Sequence, residues 1–195
     1  MTALTGGFAD PAIQSAQGFR VLMQAMAQPG TIHALALARP PVPMGRAAGT
    51  VALLLADPGT PLHLAPDGAH RDGAPHDDAA LADWLAFHAG CPLVAPDRAV
   101  LAIGRWSDLL PLDRFSIGLP DYPDRSATLI VELDRLEPDG ARLTGPGIRD
   151  HARLSLPDLA PFRANHALAP MGLDFIFTCG DRLACLPRST TVEDA

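Results

Sequence analysis

The chain has 195 residues, enough for a single domain spanning 1–195 with a sizeable core. It is 48% hydrophobic and 19% charged with a net charge of −7, which excludes a disordered chain and leaves no general basic field for nucleic acid. All 15 basic residues are arginines. With no lysine, a Schiff base to pyridoxal phosphate or to a carbonyl substrate cannot form, and there is no P-loop.

In chain order, the N-terminus Met1 to Phe8 lacks a basic n-region, so no signal peptide is expected. Asp10-Pro11 is a helix start, an N-cap aspartate followed by proline at the first helical position. Ile13, Ala16, Phe19, Met23 and Met26 recur at three- and four-residue spacing, which predicts an amphipathic helix from about Pro11 to Gln28, ended by Pro29-Gly30. Thr31 to Leu37 reads as a strand, and Pro40 to Pro43 as a stiff loop within the domain. Ala47 to Ala56 is apolar nearly all round and predicts a buried helix. Val51 to Ala56, the longest aliphatic run, is far too short to span a bilayer. A soluble, cytoplasmic protein is expected.

Pro61 to Leu64 predicts a short strand, and Ala65 to Asp77 an exposed loop. His70, Asp72, His76, Asp77 and Asp78 gather metal-ligand types there, but at no standard spacing, so no metal is expected. A helix capped by Asp77 or Asp78 follows, with Leu81, Trp84, Leu85 and His88 on one face and Gly90 closing it. Ala99 to Ile103 predicts a buried strand, followed by a turn or short helix at Arg105 to Leu110. Pro111 to Asp124 reads as loop, where Asp121, Tyr122 and Asp124 fit either turn chemistry or an acidic pair. Ser126 to Leu133 is the clearest central strand. A hairpin of two short strands is expected around Pro138-Asp139-Gly140, one starting at Leu136 and one at Ala141 to Leu143. A helix is expected from Pro157 to Ala167.

The last third carries the densest signal. Leu173 to Thr178 and Arg182 to Leu186 predict a buried hairpin turning at Gly180-Asp181. Its register sets Cys179 opposite Arg182 and Cys185 opposite Ile176. These two cysteines then point to opposite faces and form no disulfide; together with Cys91 they are expected as free thiols in a reducing compartment. Beyond the hairpin come Arg188-Ser189-Thr190-Thr191, a guanidinium fork and three hydroxyls that suit phosphate or phosphonate oxygens. A polar exit from the last strand accounts for them as well. Gly145 and Gly147 could bring backbone amides to an anion, with Arg149 beside them, although a plain tight turn fits the same spacing. The candidate anion set is therefore Arg188, Thr190, Arg149, Gly145 and Gly147, and no catalytic residue is assigned. His88 is the candidate acid or base if the chain is a stand-alone enzyme acting on a phosphorylated small molecule. Early alternation of helices and strands, followed by hairpins, points to a three-layer α/β fold with a mixed sheet flanked by helices.

Several segments, in order along nearly the whole chain, resemble the PhnH family of the carbon–phosphorus lyase system. They are Gly7 to Pro11, Phe19 to Ile32, Trp84 to His88, Ser126 to Val131, Leu143 to Ile148 and Gly172 to Thr191. Phe162 to Asn165 stands where such proteins carry a tryptophan, and Ser189 where a threonine is common. The resemblance implies a fold related to the pyridoxal-phosphate-dependent transferases but without that cofactor. It also implies a homodimer, and assembly with PhnG-, PhnI- and PhnJ-type subunits. With PhnG-, PhnI- and PhnL-type proteins, such a subunit supports attack of an alkylphosphonate on the ribose C1 of ATP. Adenine then leaves and ribose 1-phosphonate 5-triphosphate forms.

Overall fold

A computed structural model describes residues 4–66 and 78–195. The predicted metal-ligand loop (His70, Asp72, His76, Asp77) and the side chain of Asp78 lie outside the described residues. The first layer is built from three helices, α1 (Pro11–Ala27), α2 (Arg46–Leu55) and α3 (Asp78–His88). They cover one face of a six-stranded sheet made from β1 (His33–Ala34), β2 (Leu62–Leu64), β3 (Leu101–Arg105), β6 (Thr128–Glu132), β9 (Asp174–Cys179) and β10 (Arg182–Leu186). Between β3 and β6 come α4 (Trp106–Leu109) and a hairpin of β4 (Ile117–Leu119) and β5 (Tyr122–Ser126). Between β6 and β9 come β7 (Ala141–Thr144), β8 (Ala152–Leu154) and α5 (Ala160–His166), and β11 (Thr191–Glu193) ends the chain.

The large sheet has the order β1-β10-β9-β6-β3-β2. Its strands β2, β3, β6 and β9 are mutually parallel, while β10 runs antiparallel to both β9 and β1. Alternation along the strands separates two cores. Ile103, Ile130, Ile176, Leu183 and Cys185 face the three helices. Ala102, Leu129, Val131, Phe175, Phe177 and Ala184 face the opposite layer, made of α4, α5 and the small sheet β11-β7-β8. Phe162 of α5 anchors that layer, with its ring 4.9 Å from Trp106, 5.0 Å from Phe175 and 5.6 Å from Phe177. The expectation of a mixed sheet with helices holds, and the second covering layer is part sheet. No helix among the described residues is long and apolar enough to cross a membrane.

Local chemistry explains where the elements begin and end, and where the sequence reading departs from them. Asp10 caps α1, its Oδ1 accepting from the Ile13 N–H at 3.1 Å. The face that α1 buries is Gly18, Leu22 and Ala25; Ile13, Phe19 and Met23 of the predicted stripe are exposed. Gly18 decides this. A Cβ there would lie 3.0 Å from a Leu54 methyl and 3.1 Å from one of Leu37, a tight fit, so the missing side chain lets the helix backbone lie close to these leucines. The strand predicted over Thr31 to Leu37 contracts to His33–Ala34. The amides of Leu37 and Ala38 instead donate to the buried Thr50 hydroxyl at 3.0 and 2.9 Å, and Arg46 donates to the carbonyls of Ala36 and Ala38. With their hydrogen bonds made to α2, these residues have no need of a ladder.

The β4–β5 hairpin occupies part of the predicted loop 111–124, where Pro120 and Pro123 mask it; prolines are tolerated in a two-stranded ribbon. Leu136 starts no strand. Ser155 holds the neighbouring backbone instead, its Oγ accepting from Glu137 N–H at 2.9 Å while its own N–H donates to Glu137 O, and β7 pairs with β8 and β11. The helix predicted from Pro157 begins at Ala160, because the Asp158 carboxylate accepts from the N–H groups of Leu159 and Ala160. The C-terminal hairpin has the expected register, Cys179 opposite Arg182 and Cys185 opposite Ile176, and all three cysteines are free.

Candidate functional site

In a sheet of parallel strands, the loops that leave the carboxyl ends surround the natural ligand crevice. Here β3 ends in Arg105 and β6 in Glu132, and the two residues are register partners. The chain then turns into Trp106-Ser107 on one side and Leu133-Asp134-Arg135 on the other, and Ser155 to Pro157, after β8, closes a wall. These segments enclose an open cleft of about 400 Å³. A smaller recess of about 50 Å³ continues from it towards Met44, Leu81 and Asp108, sharing Arg105 and Glu132.

The charges in the cleft are ordered. Arg105 donates to Asp134 at 2.7 Å, and Arg135 pairs with Asp139. Glu132 Oε2 accepts from the Gly45 N–H at 2.8 Å, at the head of α2. That helix has no capping side chain of its own; the Gly180 carbonyl accepts from the Ala47 N–H of its first turn at 2.9 Å, and the carboxylate from β6 accepts from the N-cap N–H itself, against the positive end of the helix. Ser155 is buried, and its oxygen already accepts from Glu137 N–H, which leaves its proton to donate. Two guanidinium groups, a hydroxyl and an indole can hold and orient a charged small molecule. Among the described residues, no histidine or cysteine lines the cleft, and no three His, Cys, Asp or Glu side chains gather for a metal.

The residues expected from sequence lie elsewhere. Arg188 leaves β10 at the amino-terminal end of the parallel strands, opposite the cleft. Its Nε and Nη2 donate to the two oxygens of Asp174 at 3.2 and 2.5 Å, its Nη1 to Pro123 O at 2.7 Å, and its Nη2 also to Ser126 Oγ. Its own amide donates to Asp174 Oδ1 at 2.8 Å. The guanidinium thus ties β9, β10 and the β5–β6 junction together. Thr190 is buried; its amide donates to Pro187 O, and its hydroxyl has no partner among the described residues. Gly145 backs onto it, a Cβ there reaching 3.1 Å from Ser189 O and 3.5 Å from Thr190 Cα. Gly147, at φ +82°, presses on the end of α1, where a Cβ would meet Ala27 O at 2.0 Å. Arg149 is exposed. The structure brings Gly145 and Thr190 together and turns the Arg188 fork away from them. His88 sits under the N-terminal segment against Gly7, between the rings of Trp84 and Phe87. Asp121, Tyr122 and Asp124 lie on the β4–β5 hairpin, with Arg125 stacked 4.0 Å over Tyr122.

Sequence reasoning did not single out Arg105, Ser107, Glu132, Asp134 or Arg135. A usable signal was present: two buried strands end in charged residues, and the charges at the carboxyl ends of parallel strands are the ones that meet ligands.

The whole chain has relatives that point the same way. A "Bacterial phosphonate metabolism protein (PhnH)" family pattern matches residues 6–193. The chain is 39% identical to the alpha-D-ribose 1-methylphosphonate 5-triphosphate synthase subunit PhnH of Rhizobium meliloti (strain 1021), over 97% of this chain and 95% of that one. It is 28% identical to HtxG of Stutzerimonas stutzeri, described as a candidate C–P lyase subunit, over 90% of this chain and 84% of that protein. A match of this extent, in one unbroken span from the first described turn to the last strand, establishes that the chain belongs to the PhnH family.

Proposed function

We propose that this chain is a subunit of a carbon–phosphorus lyase complex in phosphonate catabolism. It supports the step in which an alkylphosphonate oxygen attacks the ribose C1 of ATP. A C–O bond forms, the C–N bond to adenine breaks, adenine leaves with a proton, and ribose 1-phosphonate 5-triphosphate is the product. The observation that carries this reading is the 39% identity to a subunit named for that synthase, extending over nearly all of both chains. In this reading the protein is cytoplasmic and forms a homodimer. It assembles with PhnG-, PhnI- and PhnJ-type subunits and acts with a PhnL-type ATPase. Its fold is related to that of the pyridoxal-phosphate-dependent transferases, and it works without that cofactor, since the chain has no lysine to form the imine. The cleft at the carboxyl ends of β3 and β6 is the part of this subunit that faces small molecules.

The test is genetic. In a bacterium whose PhnH gene has been deleted, this chain restores growth on methylphosphonate as sole phosphorus source, and growth on inorganic phosphate is the control. Failure to restore growth, with the chain expressed and folded, overturns the reading.

A further inference from the structure

We infer that the cleft at the carboxyl ends of β3 and β6 is an oxyanion site, in which Arg105, Arg135 and Ser155 take a phosphoryl or phosphonyl group and Trp106 forms the wall beside its organic part. The inference rests on the phosphonate-catabolic reading only for the choice of ligand.

Three observations carry it. First, two guanidinium groups from different segments line one open space of about 400 Å³, within the size range of small-molecule sites. Second, their present partners can be displaced. Asp134 and Asp139 are 52% and 54% exposed, and ion pairs between side chains this exposed hold weakly. A tetrahedral oxyanion offers each arginine fork a paired set of charge-assisted hydrogen bonds. Arg188 makes the contrast: its partner Asp174 is only 22% exposed and the surrounding chain takes up the rest of its fork. Third, Ser155 is only 8% exposed and lines the cleft, and its hydroxyl proton has no acceptor among the described residues. With its oxygen already accepting from Glu137 N–H, that proton can be donated to a ligand oxygen in the cleft. Glu132, one of the two carboxylates lining the cleft, accepts from the Gly45 amide at the positive end of α2.

The oxyanion has two sources, the phosphonate itself or the phosphate chain of a sugar phosphate or nucleotide. The experiment titrates the ¹⁵N-labelled full chain separately with methylphosphonate, ribose 5-phosphate and magnesium ATP, and follows the indole N–H signals. The chain has two tryptophans. Trp84 is fully buried with its Nε1 donating to Thr5 O, so it serves as the internal reference and Trp106 as the reporter. The expected result is a saturable shift of Trp106 with at least one probe while Trp84 stays in place. Arg105→Gln and Arg135→Gln each weaken binding about tenfold, and Ser155→Ala weakens it by a smaller factor. A response to methylphosphonate alone assigns the phosphonate; a response to ribose 5-phosphate or ATP assigns the phosphate chain. No shift of Trp106 with any probe at millimolar concentration overturns the inference, as does undiminished binding in Arg135→Gln, a variant of an exposed loop residue that leaves the core untouched. Absence of binding together with restored growth in the deletion strain removes this site and leaves the subunit role standing. Binding without restored growth does the reverse.

Discussion

Arg188 and Arg105 are chemically the same side chain, and their surroundings give them different work. Around Arg188, Asp174, Ser126 and Pro123 accept from Nε, Nη1 and Nη2, and both members of the ion pair are mostly buried. Removing one partner of such a pair leaves the other charge stranded. Asp174→Asn is therefore expected to lower stability by about 2–4 kcal/mol in urea unfolding. A change within ~0.5 kcal/mol would show that the knot contributes nothing. From sequence alone the arginine and its hydroxyl neighbours suited an anion; that the anion is Asp174, fourteen residues earlier in the chain, depends on the hairpin bringing the two together. Cys185 gives a second prediction. Burial, and secondarily the charge of Asp174, pushes its thiol up from 9.0 to about 12. In the unfolded chain it loses its proton near pH 9 while the folded protein keeps it, so its contribution to stability is intact below pH 9 and declines as pH rises towards 12. Between pH 8 and pH 10 the protein should lose about 1 kcal/mol more than a Cys185→Ala variant, whose pH dependence lacks this component. Parallel slopes for the two proteins would refute the assignment.

At the scale of elements, the central strands and the C-terminal hairpin were legible because alternation and turn chemistry agree there. Thr-Leu-Ile-Val-Glu of the predicted Ser126 to Leu133 became β6, and Gly180-Asp181 fixed the register of β9 with β10. Less was legible where a side chain far along the sequence replaces a ladder, as Thr50 does for Leu37 and Ala38. Helix α1 shows the limit most clearly. It carries two apolar stripes, and periodicity cannot choose between them; the close approach at Gly18 does. Leu22→Ala should then destabilise the chain by about 2–4 kcal/mol, whereas Phe19→Ser combined with Met23→Gln should change it by less than ~0.5 kcal/mol. Thermal or urea melts of the isolated protein decide this. A large loss in the double variant would mean that the outer stripe is buried, against the geometry. The site was the least legible part, because it is made where strand ends converge: Arg105 and Glu132 are 27 positions apart in sequence by their numbers and become partners only through parallel pairing.

For the whole molecule, the two cores divide the labour. The helical layer and the large sheet make a rigid platform, and the opposite layer of α4, α5 and the small sheet shapes the cleft walls and buries Phe162 against Phe175 and Phe177. Trp106 belongs to both the second core and the cleft, so it couples packing to the site. The apolar stripe that α1 leaves exposed, Ile13, Phe19 and Met23, is a surface on which another chain can pack. That whole-molecule claim is tested most directly by co-expressing the tagged chain with PhnG-, PhnI- and PhnJ-type subunits and measuring the native mass of what it retains. The account predicts a stoichiometric complex of all four. Recovery of this chain alone, with the other three assembled and folded in the same lysate, would contradict it.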